Sequence, residues 1–426
     1  MTAVVLILFC AFASVGMPLA FALGMASLGA LWYEGIELTV LAQRMMHAVD
    51  SFPLMAIPLF MLAGEVMLKA GIIHRLIDFA NALVGRVHGG LAHVTILSGM
   101  FLASVSGAAV ASASALGNTL VPALRKHYDD DYSSAVVASA ANLGPVIPPS
   151  NAMIVYALMA GSSVSVGGLF MSGIIPGIIL TIGFMVIASI VSKRRGYEHT
   201  GKSFSIHEVL RQGRKAFIII VMPILVVGGI VVGIFTATEG AAIAVAYSVL
   251  VGFFVTRTLT VADLPGCLFR GAVTASMVGA LIAFASAVTF IFTIDLVPQQ
   301  LSDLLQAITS DPLTYILLVM VLLIVVGMLV ESNAAYIMLV PLFAPVALSF
   351  GIDPLYFGFL FMYNLVIGMM TPPVGVLLFV MCGITKIPMT SLIHAVWPYV
   401  IWQFVVLALC MIFPDLVLAL PKYLGF

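Results

Sequence analysis

Charge is what this sequence has least of. Only 8% of its 426 residues are Asp, Glu, Lys or Arg, against 62% hydrophobic, and the mean hydropathy is +1.21. Nothing is left over for a soluble domain of useful size, and the composition is that of a polytopic membrane protein. A net charge of −1 argues against a nucleic-acid partner. Cysteine is scarce too. Cys10, Cys267, Cys382 and Cys410 stand singly in apolar surroundings without metal-ligand spacing, as small core residues do. The first thirty residues lack a basic n-region and a clear cleavage site, so they read as a retained helix. Also missing are H-E-x-x-H, G-x-S-x-G and any carboxylate pair on one intramembrane face, and Ser150 has no base near it in the sequence. An intramembrane enzyme therefore has little footing, and the chain reads as a non-enzymatic carrier.

What is present centres on one stretch, Asn142-Leu143-Gly144-Pro145-Val146-Ile147-Pro148-Pro149-Ser150-Asn151, within a run uncharged from 134 to 192. Each proline inside a helix removes a donor and clashes with the preceding turn, at about 3 kcal/mol. In hydrocarbon the freed carbonyls must find partners, so a break of this kind survives where the loose backbone lines a polar cavity. The stretch has an echo in Asn364-Leu365-Val366-Ile367-Gly368-Met369-Met370-Thr371-Pro372-Pro373-Val374-Gly375, again in an uncharged run, from 355 to 385. Two interrupted helices in corresponding halves point to the binding site of a secondary transporter.

Residues 89–124 are uncharged and too many for one span, with Ala103-Ser104-Val105-Ser106-Gly107-Ala108 near the middle. They predict a re-entrant hairpin of two half-length helices; a small-residue packing stripe is the alternative. Residues 313–350 repeat the pattern around Gly327-Met328-Leu329-Val330-Glu331-Ser332-Asn333. Hairpin, broken helix, span thus occurs twice. The expected fold is all-α, with two re-entrant hairpins and two discontinuous helices in an inverted repeat. Its parts are an N-terminal scaffold and arm over 1–88, a first unit over 89–160, and scaffold helices over 161–311. A second unit over 312–385 and a C-terminal helix over 386–426 complete it.

Ordinary spans are expected at 4–33, 52–68, 167–191, 216–235, 241–256, 271–294 and 392–413. Amphipathic segments are expected at 34–51, 71–88 and 296–309. Glu65 either sits at depth facing protein or water, or pairs with Lys69 one turn on. Trp397, Tyr399 and Trp402 are expected as interfacial anchors. The connector 193–215 carries Lys193, Arg194, Arg195, Lys202, Arg211, Arg214 and Lys215 against Glu198 and Glu208, which places it in the cytoplasm by the positive-inside rule.

Hydroxyls, amides, one carboxylate and loosened carbonyls are hard oxygen ligands, suited to a small cation, while half-helix N-termini attract an anion. Sodium with a carboxylate substrate is the natural pairing; proton coupling would rest on Glu331 alone. One sodium is expected at Ser104, Ser106, Gly144, Pro145, Ile147 and Pro148. A second is expected at Gly327, Glu331, Asn333, Gly368, Met370 and Thr371, although Glu331 can instead stabilise its hairpin tip. Substrate would take hydrogen bonds from Ser106, Ser150, Asn151, Ser332, Asn333 or Thr371.

Phe52-Pro53-Leu54-Met55-Ala56-Ile57-Pro58-Leu59-Phe60-Met61-Leu62-Ala63-Gly64-Glu65, the two proline breaks and Thr236-Ala237-Thr238-Glu239 together resemble the large membrane subunit of tripartite ATP-independent periplasmic (TRAP) transporters. The resemblance covers nearly the whole chain and looks closest to the sialic acid branch. It implies an elevator-type fold in a bacterial inner membrane, sodium-coupled uptake, a small four-helix membrane subunit supplied separately, and a periplasmic binding protein. Ala237 stands where the family usually has proline, which puts the rigidity of that turn in question. A one-component sodium/dicarboxylate symporter of similar hairpin architecture is the other reading.

Overall fold

The computed structural model describes residues 1–197 and 205–426, and every regular element among them is a helix. Among the described residues, eight helices are long and apolar enough to cross a membrane. Glu198 and Lys202 lie outside the described residues.

Both hairpins form. The first has legs Gly90–Ser106 and Ala109–Leu124, and the turn falls at Gly107, whose φ of 60° is a left-handed conformation that glycine adopts without strain. The second has legs Pro312–Leu329 and Ser332–Ser349. It turns on extended Val330 and on Glu331, whose carboxylate accepts from the Ala334 amide at 3.1 Å and caps the returning leg. Legs of 16 to 18 residues run about 25 Å at 1.5 Å per residue, so they are longer than the half-length expected. Both broken helices form as well, as Asp130–Ala141 with Asn151–Ala160 and Pro354–Gly368 with Val376–Thr385. Both Pro-Pro bonds, Pro148-Pro149 and Pro372-Pro373, are cis.

The two units meet opposite ends of the long helix Val166–Arg194. Gly89, at the base of the first, lies against Ser192 near that helix's end, and Tyr132 of the first broken helix bonds the Ala188 carbonyl and Ser192. Leu355, just after the second hairpin, lies against Gly168 near its start. The units then interlock. Ala109–Leu124 packs on Val376–Thr385, and Ser332–Ser349 packs on Asn151–Ala160, so each returning leg lies on the second half of the other unit's broken helix.

The remaining helices include two long ones, with 29 residues in Val166–Arg194 and 31 in Leu264–Ile294. Several expectations need correction. Residues 4–33 are not one span but two antiparallel helices, Thr2–Ser14 and Leu19–Tyr33, because Gly16 at φ 86° and Pro18 at the second N-cap turn the chain. Glu65 pairs with Arg270 at 2.7 Å and not with Lys69, which reaches Asp263 at 3.0 Å. Packing of Leu264–Ile294 on Ala56–Lys69 brings both outside partners within reach, so the i,i+4 pair loses. Of the connector 193–215, both ends are helical, since one long helix runs to Arg194 and the next, Ile206–Val231, starts at Ile206. Tyr399 is buried, edge-on to Phe184, and Trp402 covers Gly183; only Trp397 remains exposed. Residues 415–423 add a short helix, Asp415–Tyr423, that packs back on Val166–Arg194.

The first hairpin touches the first broken helix backbone to backbone. A Cβ on Gly99 would stand 2.6 Å from the Ala140 carbonyl oxygen, and backbone cannot give way as a flexible side chain can. Gly99→Ala is therefore expected to cost about 1–3 kcal/mol by overpacking. Gly228, whose Cβ would meet nothing within 4 Å, is the control, and Gly228→Ala is expected to be neutral or stabilising. Thermal unfolding of the two variants in detergent checks the pair; equal melting temperatures would overturn this account of the contact.

Candidate functional site

At the first break the prolines end Asp130–Ala141, and the chain restarts at Asn151 with Ser150 as the cap. The Ser150 oxygen accepts from the Met153 amide at 3.4 Å, and its hydroxyl donates to the Pro145 carbonyl at 2.5 Å. The first hairpin tip is seated directly on this break. The Asn151 amide donates to the Gly107 carbonyl at 3.2 Å. Side chains at Gly107 and Gly144 would collide with the Pro149 carbonyl and the Ala108 backbone, so both glycines are required by close approach. Among the described residues the carbonyls of Gly144, Ile147 and Pro148 accept no hydrogen bond. They are the loosened oxygens that the sequence predicts.

The second break is built alike. Gly327 of the hairpin and Gly368 of the broken helix meet so closely that a Cβ on Gly368 would stand 2.5 Å from the Gly327 carbonyl carbon. The Gly375 amide donates to the Met328 carbonyl at 3.2 Å, which stitches the break to the hairpin. The carbonyls of Gly327, Met370 and Thr371 accept no hydrogen bond among the described residues. Glu331 accepts from the Asn333 amide group at 2.9 Å besides capping its helix, so its carboxylate already has a structural task.

The twelve proposed sodium ligands therefore fall into two clusters, one at each tip and break. They differ in how much of each is free. Ser104 donates to the Phe101 carbonyl of its own helix at 2.7 Å, and Ser106 shares a hydrogen bond of 2.7 Å with Ser112. Thr371 donates to the Ile367 carbonyl at 2.8 Å. Of the proposed substrate donors, Ser106, Ser150 and Thr371 are thus committed. The Asn151 side chain makes no hydrogen bond among the described residues. Ser332 reaches only the Glu331 carboxylate at 3.4 Å and the Met369 sulfur at 3.5 Å. Among the described residues no cluster of three or more His, Cys, Asp or Glu could hold a metal, so a cation here would be held mainly by carbonyls, hydroxyls and amides, with Glu331 the one carboxylate among the proposed ligands.

One central residue escaped the sequence analysis. Gln403, wholly buried in Met389–Ile412, accepts from Asn142 Nδ2 at 2.7 Å and lies 3.5 Å from the Met370 sulfur through its own Nε2. Asn142 Nδ2 also reaches the Val366 carbonyl at 3.2 Å. Thus one amide spans the two breaks. The available signal was a lone amide in an otherwise apolar span. Asn142 opens the first break and Asn364 lies one turn before the second, and each keeps a buried amide oxygen without a hydrogen-bond partner among the described residues. Donation from Asn364 goes instead to the Met320 carbonyl at 2.6 Å.

The family model described as the DctM component of tripartite ATP-independent periplasmic transporters matches residues 6–416. The chain is 36% identical to the sialic acid TRAP transporter large permease protein SiaM of Vibrio cholerae, over 96% of each chain. It is 35% identical to the C4-dicarboxylate TRAP transporter large permease protein DctM of Pseudomonas aeruginosa, over 90% of each. Among solved structures, the YdaH transporter of Alcanivorax borkumensis, described as having an unusual topology, superposes with a TM-score of 0.63 at 16% identity. That likeness covers 96% of this chain and 97% of the other.

Removing the bridging amide tests its role. Gln403→Leu and Asn142→Leu are each expected to destabilise by about 1–3 kcal/mol, because each leaves a buried polar partner unsatisfied. The double variant should cost less than the sum of the two, since the second change removes the orphaned group. Strict additivity in thermal unfolding would show that the two amides are not energetically linked.

Proposed function

The chain belongs to the DctM family of tripartite ATP-independent periplasmic transporters, and on that premise we propose that it carries an organic acid across the membrane together with sodium. It is a multi-pass membrane protein and a transporter subunit, not an enzyme. The observation that carries the proposal is the seating of each hairpin tip on a break where backbone carbonyls accept no hydrogen bond.

Such carbonyls, together with Ser106 on one side and Thr371 on the other, offer the oxygen environment that a small monovalent cation takes. Entry of sodium is driven by its gradient and by about 2.3 kcal/mol per charge per 100 mV of membrane potential. The cargo is an anion by the same logic. Helix N-termini begin at Asn151 and Ser332, beside the tips, and their partial positive charge favours a carboxylate. Asn151, Ser332 and Asn333 are the donors with capacity to spare. Neutral donors hold an anion loosely, which suits release inside the cell. Sialic acid is our choice of cargo from the resemblance to the sialic acid branch, with a dicarboxylate as the competing one.

In this reading the interlocked units, 89–160 and 312–385, move as one body against the remaining helices in an elevator motion. The basic ends of the connector, Lys193, Arg194 and Arg195 with Arg211, Arg214 and Lys215, lie on the cytoplasmic side of an inner membrane. A small membrane subunit and a periplasmic binding protein complete the assembly.

Uptake in proteoliposomes holding the chain and both partners should require an inward sodium gradient. Ser106→Ala and Thr371→Val should each raise the sodium concentration for half-maximal uptake by about three- to tenfold, the loss of one oxygen ligand at roughly 1 kcal/mol. Ser112→Ala breaks the same hydrogen bond to Ser106 without removing a proposed ligand, and should leave the sodium dependence unchanged. Sodium-independent uptake would sink the coupling, and full uptake by the chain alone would favour a one-component symporter.

A further inference from the structure

Away from both breaks, a cavity of about 610 Å³ opens between the units and the helices around them. One wall is Arg44 and His47 from the helix Thr39–Val49, with Ser286, Thr289 and Phe290 from Leu264–Ile294. The opposite wall is Leu158 and Met159 of the first broken helix, with Ile337 and Pro341 of the second hairpin's returning leg. Its volume is in the range of small-molecule sites, about 300–1,000 Å³.

The charge in it is one-sided. No Asp or Glu lines the cavity, and Arg44 makes no ion pair among the described residues. An arginine on an amphipathic helix commonly reaches for the membrane surface and does nothing more. Here it is held otherwise. Its guanidinium carbon sits 4.1 Å from the centroid of the Phe290 ring, and its backbone carbonyl accepts from the Ser286 hydroxyl at 3.0 Å. Stacking on a ring face leaves the in-plane N–H donors of a guanidinium open, in the fork that matches a carboxylate. The Ser286 and Thr289 hydroxyls add neutral polar groups nearby.

Position decides what such a site would serve. Leu158 lies seven residues beyond Asn151, about 10 Å along the helix, and Ile337 lies five beyond Ser332, about 8 Å. The cavity thus adjoins both helices that start at the hairpin tips. We propose that it is an anion-binding antechamber in which Arg44 takes the carboxylate of the organic acid before the acid reaches the tips. This rests on the transport reading above and extends it to a residue outside both units.

Thr289→Cys, in a chain with its four native cysteines replaced, gives a readout independent of transport. An anionic and a cationic methanethiosulfonate are compared in the purified protein, each rate normalised to its reaction with a free thiol. The anionic reagent should be favoured by about tenfold, a preference lost in Arg44→Ala and kept in Arg44→Lys. An equal ratio with and without Arg44 would overturn the anion site. In proteoliposomes with both partners, Arg44→Ala should raise the half-saturating concentration of sialic acid or dicarboxylate at least about tenfold and leave that of sodium unchanged. Unchanged cargo dependence would overturn the antechamber even if the reagent preference held. Absence of any uptake by the unaltered protein would instead count against the transport reading, with the reagent ratio still judging the cavity.

Discussion

Backbone that leaves a helix inside hydrocarbon has to be sheltered by protein, and the rest of this structure depends on how that is done twice. Residues 142–150 and 369–375 are the exposed risk. Each is covered by a hairpin tip brought to van der Waals contact through glycine, Gly107 with Gly144 on one side and Gly327 with Gly368 on the other. Each break is thus sheltered by the hairpin tip of its own unit, and the returning legs add packing on the opposite unit's broken helix.

Shelter is incomplete in a specific way. Several carbonyls at the breaks, and the buried side-chain oxygens of Asn142 and Asn364, accept no hydrogen bond among the described residues. A fold under selection for stability alone would satisfy them, since each unmade bond costs about 1–3 kcal/mol. Their persistence at two matched places, beside N-termini that attract anions, makes function the natural counterweight. Gln403 shows the economy of the arrangement. It ties Asn142 to the neighbourhood of Met370, so a distortion at either break is felt by the same amide.

Much of this was legible because glycine and proline act locally. Pro148-Pro149, Pro372-Pro373, Gly107 and Gly327 announce their breaks and turns without help from distant residues. The same reasoning should have split 4–33, where Gly16 and Pro18 stand two apart; the length of the apolar run hid them. What stayed illegible depends on partners far along the chain. Glu65 pairs with Arg270, 205 positions away, and no helical spacing rule reaches that far. Tyr399 and Trp402 have the composition of interfacial anchors, yet Gly183 and Phe184 open a place for them inside. The Arg44 cavity is illegible for the same reason, because its walls come from four separate stretches of sequence.

Val166–Arg194 touches the two units at its opposite ends, and its 29 residues amount to about 43 Å of helix. The hydrocarbon layer is about 30 Å thick, so the helix cannot stand upright within it; it must lean, overhang, or thicken the lipid around it. Because its ends touch the base of the first hairpin and the start of the second broken helix, its lean sets how far apart those two points sit along the membrane normal. Bilayer thickness thereby becomes a mechanical input to the body that holds both breaks. Lipids with longer chains would draw the helix upright, and the two points would be pulled apart with it.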